Sequence, residues 1–214
     1  MRQEHVMSRL FFTGLLSLCL ASTLAIGAAR AQDATAAEAY LRGRHTAVQQ
    51  IMRRPVRGAA AIEQRKTQLT QALGELLDYT ELSRRALGEH DAQATPAQRT
   101  EFAHLLRQLV ERSYQKSLES TIDYEVRYLG STGDATSVVV RTVAKSRTHG
   151  REPEVAIDYT LHQVAGGWRV FDIATDGVSL VRNYRSSFHR IITRNGIDGL
   201  LATMRERLAN EGEL

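Results

Sequence analysis

The chain has 214 residues and a formal net charge of +4, too weakly basic to indicate a nucleic-acid partner, and it has no aromatic-studded basic stretch of the RNA-binding kind. Its one cysteine, Cys19, excludes an internal disulfide, so the core alone must hold the fold.

The N-terminus reads as a leader. "MRQEHVMSR" carries Arg2 and Arg9, "LFFTGLLSLCLASTLAIGA" is an apolar run, and "ARA" at Ala29 to Ala31 has the small-x-small pattern of a signal-peptidase site. Residues 1–31 are therefore expected to be a secretory signal cleaved after Ala31. The alternative, a membrane anchor, calls for a stop-transfer cluster where this run has small residues. Leu18 precedes Cys19 where a lipoprotein box wants a small residue, so the exported form is read as unlipidated. Removing the leader takes three arginines and one glutamate, leaving a net charge of about +2 on one domain, residues 32–214.

Helical spacing dominates the first half. Ala34 to Arg54 places Tyr40, Leu41, Val48, Ile51 and Met52 as apolar positions, and Pro55 stops it. From Ala59 to Tyr79, Ile62, Leu69, Leu73, Leu76 and Leu77 recur at helical spacing. "YTELSRRAL" is a short third helix with Thr80 as its expected cap. "ATPAQRTEF" opens a fourth: Thr95 caps, Pro96 takes the first helical position, and Gln98 completes a capping box. Its stripe is Phe102, Leu105, Leu106, Leu109, Val110, Tyr114 and Leu118.

The period then falls to two. "IDYEVRYLG" sets Ile122, Tyr124, Val126 and Tyr128 against charged residues. "SVVVRTVAKS" leaves Val138, Val140, Thr142 and Ala144 opposite Arg141 and Lys145. "EVAIDYTLHQV" turns Val155, Ile157, Tyr159 and Leu161 inward, and "WRVFDIAT" is a fourth strand whose parity does not choose an inward face. The links "GSTGD", "RTHGREP" and "AGG" are too short for parallel crossovers, so the strands form an antiparallel meander. Two helices close the chain. Residues 179–194 bury Val181, Tyr184, Phe188 and Ile191 up to Asn195-Gly196, and a second helix runs from Asp198 to Ala209.

The stretch "DGVSLVRNYRSSF", Asp176 to Phe188, nearly matches the G-x-S-x-G nucleophile elbow. The elbow needs a second glycine and a parallel sheet, and this chain has Val181 and short antiparallel links. Ser179 reads as a helix cap, with Asp176 able to serve one register earlier. No phosphate-binding G-x-x-x-x-G-K-[ST] loop occurs. The histidines at 45, 90, 104, 149, 162 and 189 are scattered, and no metal site or cofactor is read from them. Asp172 is either a buried general base or the partner of a neighbouring turn. Thr142 and Ala144, small residues flanked by Tyr124, Tyr128, Tyr159 and Leu161, either interlock with a helix or leave space for a ligand.

"WRVFDIATDGVSLVRNYRSSFHRII" resembles the signature of the MlaC, or toluene-tolerance, family of periplasmic lipid carriers. The matching residues are Trp168, Val170, Asp172, Gly177 to Val181, Asn183 to Arg185 and Phe188. "LGEHDAQATPAQRTEFAHLL", Ser113-Tyr114 and Ile157 to Leu161 add to the likeness, which spans about Leu76 to Leu208. The tryptophan that the family often has soon after "LG" is missing from "EHDAQA". The resemblance implies an α+β fold: a four-stranded antiparallel curved sheet, helices on its concave side, and an apolar cavity between. It implies a non-enzymatic shuttle carrying a phospholipid by its two acyl chains between an outer-membrane lipoprotein complex and an inner-membrane ABC transporter. Such a system maintains the lipid asymmetry of the outer membrane. A hopanoid-associated branch shares much of the signature, and an NTF2-like enzyme acting on a small hydrophobic substrate, with Asp172 as base, is the rival from another class. A plain adaptor with a filled core is the other. Under the carrier reading the expected lining is Leu105, Leu109, Tyr114, Tyr128, Val140, Ala144, Tyr159, Leu161, Tyr184 and Phe188. Arg182, Arg185 and Arg190 read as a solvated helix face that could also meet phosphate.

Overall fold

A computed structural model describes residues 11–121, 124–146 and 153–210, with side chains from Arg30 onward except at 115–121. Ile122, the side chains of Leu118 and Cys19, and the 147–152 part of the second link with His149 lie outside that description.

Helix α1, Phe11–Arg53, begins well before the expected start and continues through the apolar run. Within it Ala34, Ala37 and Leu41 are buried at helical spacing. Pro55 cannot continue a helix and disfavours helical backbone in the residue before it, which accounts for the stop at Arg53. Helix α2, Ala59–Leu76, buries only Leu69, Leu73 and Leu76; Ile62 is 40% exposed, so the apolar face is used in its C-terminal half alone. The helix ends three residues before the expected Tyr79 because Leu77 turns extended and bridges Val170, whose carbonyl accepts from the Asp78 amide at 2.8 Å. Asp78 then caps α3, Tyr79–Leu87, accepting from the Glu81 amide at 2.9 Å. Thr80, the expected cap, is displaced by a carboxylate already held in place one residue before the helix.

Helix α4, Pro96–Thr121, opens on the anticipated capping box. The Gln98 amide donates to Thr95 Oγ1 at 3.2 Å, and the Thr95 amide donates to Gln98 Oε1 at 2.9 Å.

The sheet contains β1 (Tyr124–Asp134), β2 (Ser137–Ser146), β3 (Val155–Val164), β4 (Gly167–Thr175) and β5 (Val178–Ser179) in sequential antiparallel order. It therefore has five strands, one more than expected. Asp176 (φ 48) and Gly177 (φ 79) form a two-residue hairpin turn that pairs Thr175 with Val178 and Ala174 with Ser179. Asp176 does not cap a helix: its amide donates to the Ala156 carbonyl, and its carboxylate accepts from the Ala156 amide.

Register places Tyr124, Val126 and Tyr128, Val138 to Ala144 at alternate positions, and Val155 to Leu161 likewise on one face. The parity of β4 changes part-way. A bulge at Phe171 brings Val170 opposite Leu161 but Ile173 opposite Tyr159, so Trp168 and Val170 face inward before it and Ile173 and Thr175 after it. A constant alternation had no way to choose between them.

Helix α5, Leu180–Ala209, is broken at Gly196 (φ 70, ψ 179) into two limbs, where a helix stop was expected. The first limb buries Val181, Phe188 and Ile192, the second Leu200, Leu201, Met204 and Leu208. The helices and the inward sheet face share one hydrophobic cluster reaching from Ala34 to Leu208.

Candidate functional site: an apolar space between helices and sheet

Ser179 and Asp172 decide how α5 leaves the sheet. Ser179 Oγ accepts from the Arg182 amide at 3.1 Å and donates to Asp172 Oδ2 at 2.6 Å, while Asp172 Oδ1 accepts from the Val181 amide at 3.0 Å. Both side chains are spent on the first turn of the helix, as a cap requires. Asp172 borders neither of the two cavities between the helices and the sheet and serves the neighbouring turn.

Two adjoining cavities, of about 340 Å³ and 330 Å³, lie between the helices and the inward sheet face. They share a wall: His45 and Val48 from α1, Tyr114 from α4, and Tyr159, Ile173 and Thr175 from the sheet. The first extends towards the ends of α2 and the start of α5, reaching Leu73, Leu76, Leu77, Asn183 and Tyr184. The second extends across β3 and β2 to β1, over Ile157, Ala144, Val126 and Tyr124, with Gln49, Met52 and Arg53 of α1 opposite.

Inside the cavities the lining is mainly apolar, and its titratable side chains are held neutral. Burial lowers the pKa of His45 to about 4, so its ring is neutral near neutral pH. Burial raises the Tyr114 phenol to about 12 and pushes Tyr159 higher still. The Thr142 hydroxyl is turned away from the space, donating to the Ile157 carbonyl at 2.8 Å. Arg53 is exposed at the rim of the second cavity and has no hydrogen-bond or ion-pair partner among the described residues.

Of the ten expected lining residues, Tyr114 and Tyr159 border both cavities, Tyr184 the first and Ala144 the second. Tyr128 stands behind the wall, its Oη hydrogen-bonded to His45 Nδ1 at 2.7 Å, with the Arg42 guanidinium 3.7 Å from the centre of its ring. Leu105, Leu109, Val140, Leu161 and Phe188 are packed into the core and border neither space. Phe188 meets Phe102 edge-on at 5.4 Å, which fills the gap between α4 and α5. Arg182, Arg185 and Arg190 also lie away from both cavities. The first two donate to the carbonyls of Gly177 and Arg85, and Arg190 donates to Ser187 Oγ. The contribution of α1 and of Ile173 and Thr175 was missed. Val48 and Met52 carried a helical signal, whereas the bulge hid the other two.

A model of the MlaC protein family matches residues 44–206. This chain belongs to the MlaC family. The match begins one residue before His45 and covers every residue bordering the two cavities. The chain is also similar to a solved structure, the phospholipid-binding protein from Ralstonia solanacearum in complex with a phospholipid. The TM-score is 0.71 and the identity 26%, over 83% of this chain and 99% of that one. Among the described residues, no helix of this MlaC-family chain is long and apolar enough to cross a membrane.

Proposed function

We propose that this chain is a periplasmic phospholipid carrier that moves lipid between an outer-membrane lipoprotein complex and an inner-membrane ABC transporter. The observation that carries this reading is the pair of adjoining, mainly apolar cavities in a member of the MlaC family, whose solved relative holds a phospholipid.

The physical demand is severe. Two acyl chains carry about thirty methylenes at about 0.8 kcal/mol each, so moving them from a bilayer into water costs over ~20 kcal/mol. A carrier must supply an apolar lining of nearly equal quality. The two spaces together fall below the roughly 1,000 Å³ at the top of the ordinary ligand-pocket range. Seating both chains therefore requires the helical wall to yield. The headgroup stays in water, and Arg53 at the rim, with no partner among the described residues, is a cation placed to meet its phosphate. Exchange between two apolar environments needs no nucleotide site on the carrier itself. The expected cleavage after Ala31 falls before Ala34, the first buried side chain among those described.

The test is mass spectrometry of an organic extract from natively purified protein. Near-stoichiometric two-chain phospholipid supports the reading, and a hopanoid keeps the carrier but changes its cargo. Folded protein that yields no lipid would overturn it.

A further inference from the structure

The six histidines after the expected leader show no metal-ligand spacing in the sequence, yet folding brings two of them together with a carboxylate. Glu89 and His90 lie on a 3-10 turn, Gly88–His90, directly after α3, and His189 lies on the first limb of α5. His90 Nε2 is 3.0 Å from His189 Nδ1, His189 Nδ1 is 3.2 Å from Glu89 Oε1, and His90 Nε2 is 3.9 Å from Glu89 Oε1. We propose that these three side chains bind a divalent transition ion of the zinc type.

The separations carry the argument. A tetrahedral ion with bonds of about 2.0 to 2.1 Å holds its ligand atoms roughly 3.3 to 3.4 Å apart. The three observed distances straddle that value, so shifts of a few tenths of an ångström complete the triangle. Two imidazoles and one carboxylate leave a fourth position for water and select zinc, copper or nickel over magnesium or calcium. Without an ion the arrangement is poorly satisfied. Two imidazole nitrogens at 3.0 Å can share only a single proton between them. The opposite nitrogen of His90, Nδ1, is buried with no partner among the described residues. All of that ring's polar demand therefore falls on the Nε2 edge, which faces the cluster.

The approach of the turn to α5 is also built. Gly88 has φ 59, and a Cβ there would stand 3.1 Å from Arg185 Nε. Arg185 donates to the Arg85 carbonyl at 2.8 Å, which holds it on the same junction. Glu89 and His189 are solvent-accessible, so an ion can enter. Once bound, it would tie the end of α3 to the limb of α5 that carries Tyr184 into the first cavity.

The test uses untagged protein stripped with a chelator, then titrated with zinc against a chromophoric competitor near neutral pH. One equivalent is expected to bind tighter than about 10 μM. His189→Ala should weaken binding at least tenfold, with Glu89→Gln weakening it less. Both positions are exposed, and circular dichroism verifies that both variants fold. Zinc should raise the Tm of the unaltered protein by several degrees and leave that of His189→Ala in place. Absence of stoichiometric binding, or equal affinity in His189→Ala, overturns the proposal.

Discussion

Replacing Ala144 by tryptophan should empty this protein of lipid while leaving it folded. Ala144 is 4% exposed and stands between Val126 of β1 and Val155 of β3, on the floor of the second cavity. A dry cavity of about 150 Å³ accommodates a benzene ring, so an indole takes up about half of this one's 330 Å³. The excluded space is room for roughly five methylenes, worth about 4 kcal/mol at about 0.8 kcal/mol each. That corresponds to about three orders of magnitude in affinity. The ring enters existing space rather than a filled core, so the overpacking cost should stay near the low end of about 1–3 kcal/mol. The assay compares lipid per protein in organic extracts of the two purified proteins, with circular dichroism and urea melts to establish folding. Ala144→Leu should give an intermediate loss. Folded Ala144→Trp protein with unaltered lipid content would refute the placing of acyl chains beside this strand.

The remaining predictions concern stability and its pH dependence. His45 has an ordinary pKa near 6.5 when unfolded and about 4 when buried, so the unfolded state takes up the proton first as pH falls. Stability should be level above pH 6.5 and decline between 6.5 and 4 by at most ~3 kcal/mol; His45→Phe should flatten that part of a urea-midpoint profile. Asp172→Ala removes the acceptor of both Ser179 Oγ and the Val181 amide and should cost about 2–3 kcal/mol. Ser179→Ala should cost about 1 kcal/mol. Lipid content should survive both changes, and its loss from a stable Asp172→Asn variant would revive a chemical role for that carboxylate. Gly196→Ala forces a Cβ into a backbone region open almost only to glycine, at about 1–3 kcal/mol. A Tm equal to the unaltered protein's would mean that the two limbs of α5 need no such break.

Local rules were readable wherever one element decides its own form. Thr95, Pro96 and Gln98 specify the start of α4 within four residues, and the alternation around Val140 fixes which face of β2 is buried. The reading failed where a second element intervenes. Leu77 leaves its helix because Val170 is there to pair with it, and the cap of α3 moves to Asp78 in consequence. The bulge at Phe171 reverses β4 and hides Ile173 and Thr175, two residues of the shared cavity wall. His90 and His189 are 99 residues apart, a separation at which no spacing rule operates.

The same contrast explains why the family was legible while the cavity was only half so. The stretch that carries the resemblance is mostly a junction. Asp172 and Ser179 cap α5, Asp176 and Gly177 make the hairpin, and Trp168, Val170, Val181 and Phe188 are buried around them. Each of these jobs admits few residue types, because it needs a carboxylate, a hydroxyl, a positive φ or a particular volume. A cavity wall asks only for apolar side chains that stop short of one another, which many sequences provide and no motif marks. The junction nevertheless controls the cavity. By fixing the direction in which α5 leaves β5, it sets Asn183 and Tyr184 against Leu73 and Leu76 and so determines where the first space opens. Loosening the junction should therefore alter how lipid is held before it alters whether lipid is held. For this reason the Asp172 and Ser179 variants should be compared on lipid release as well as on lipid content.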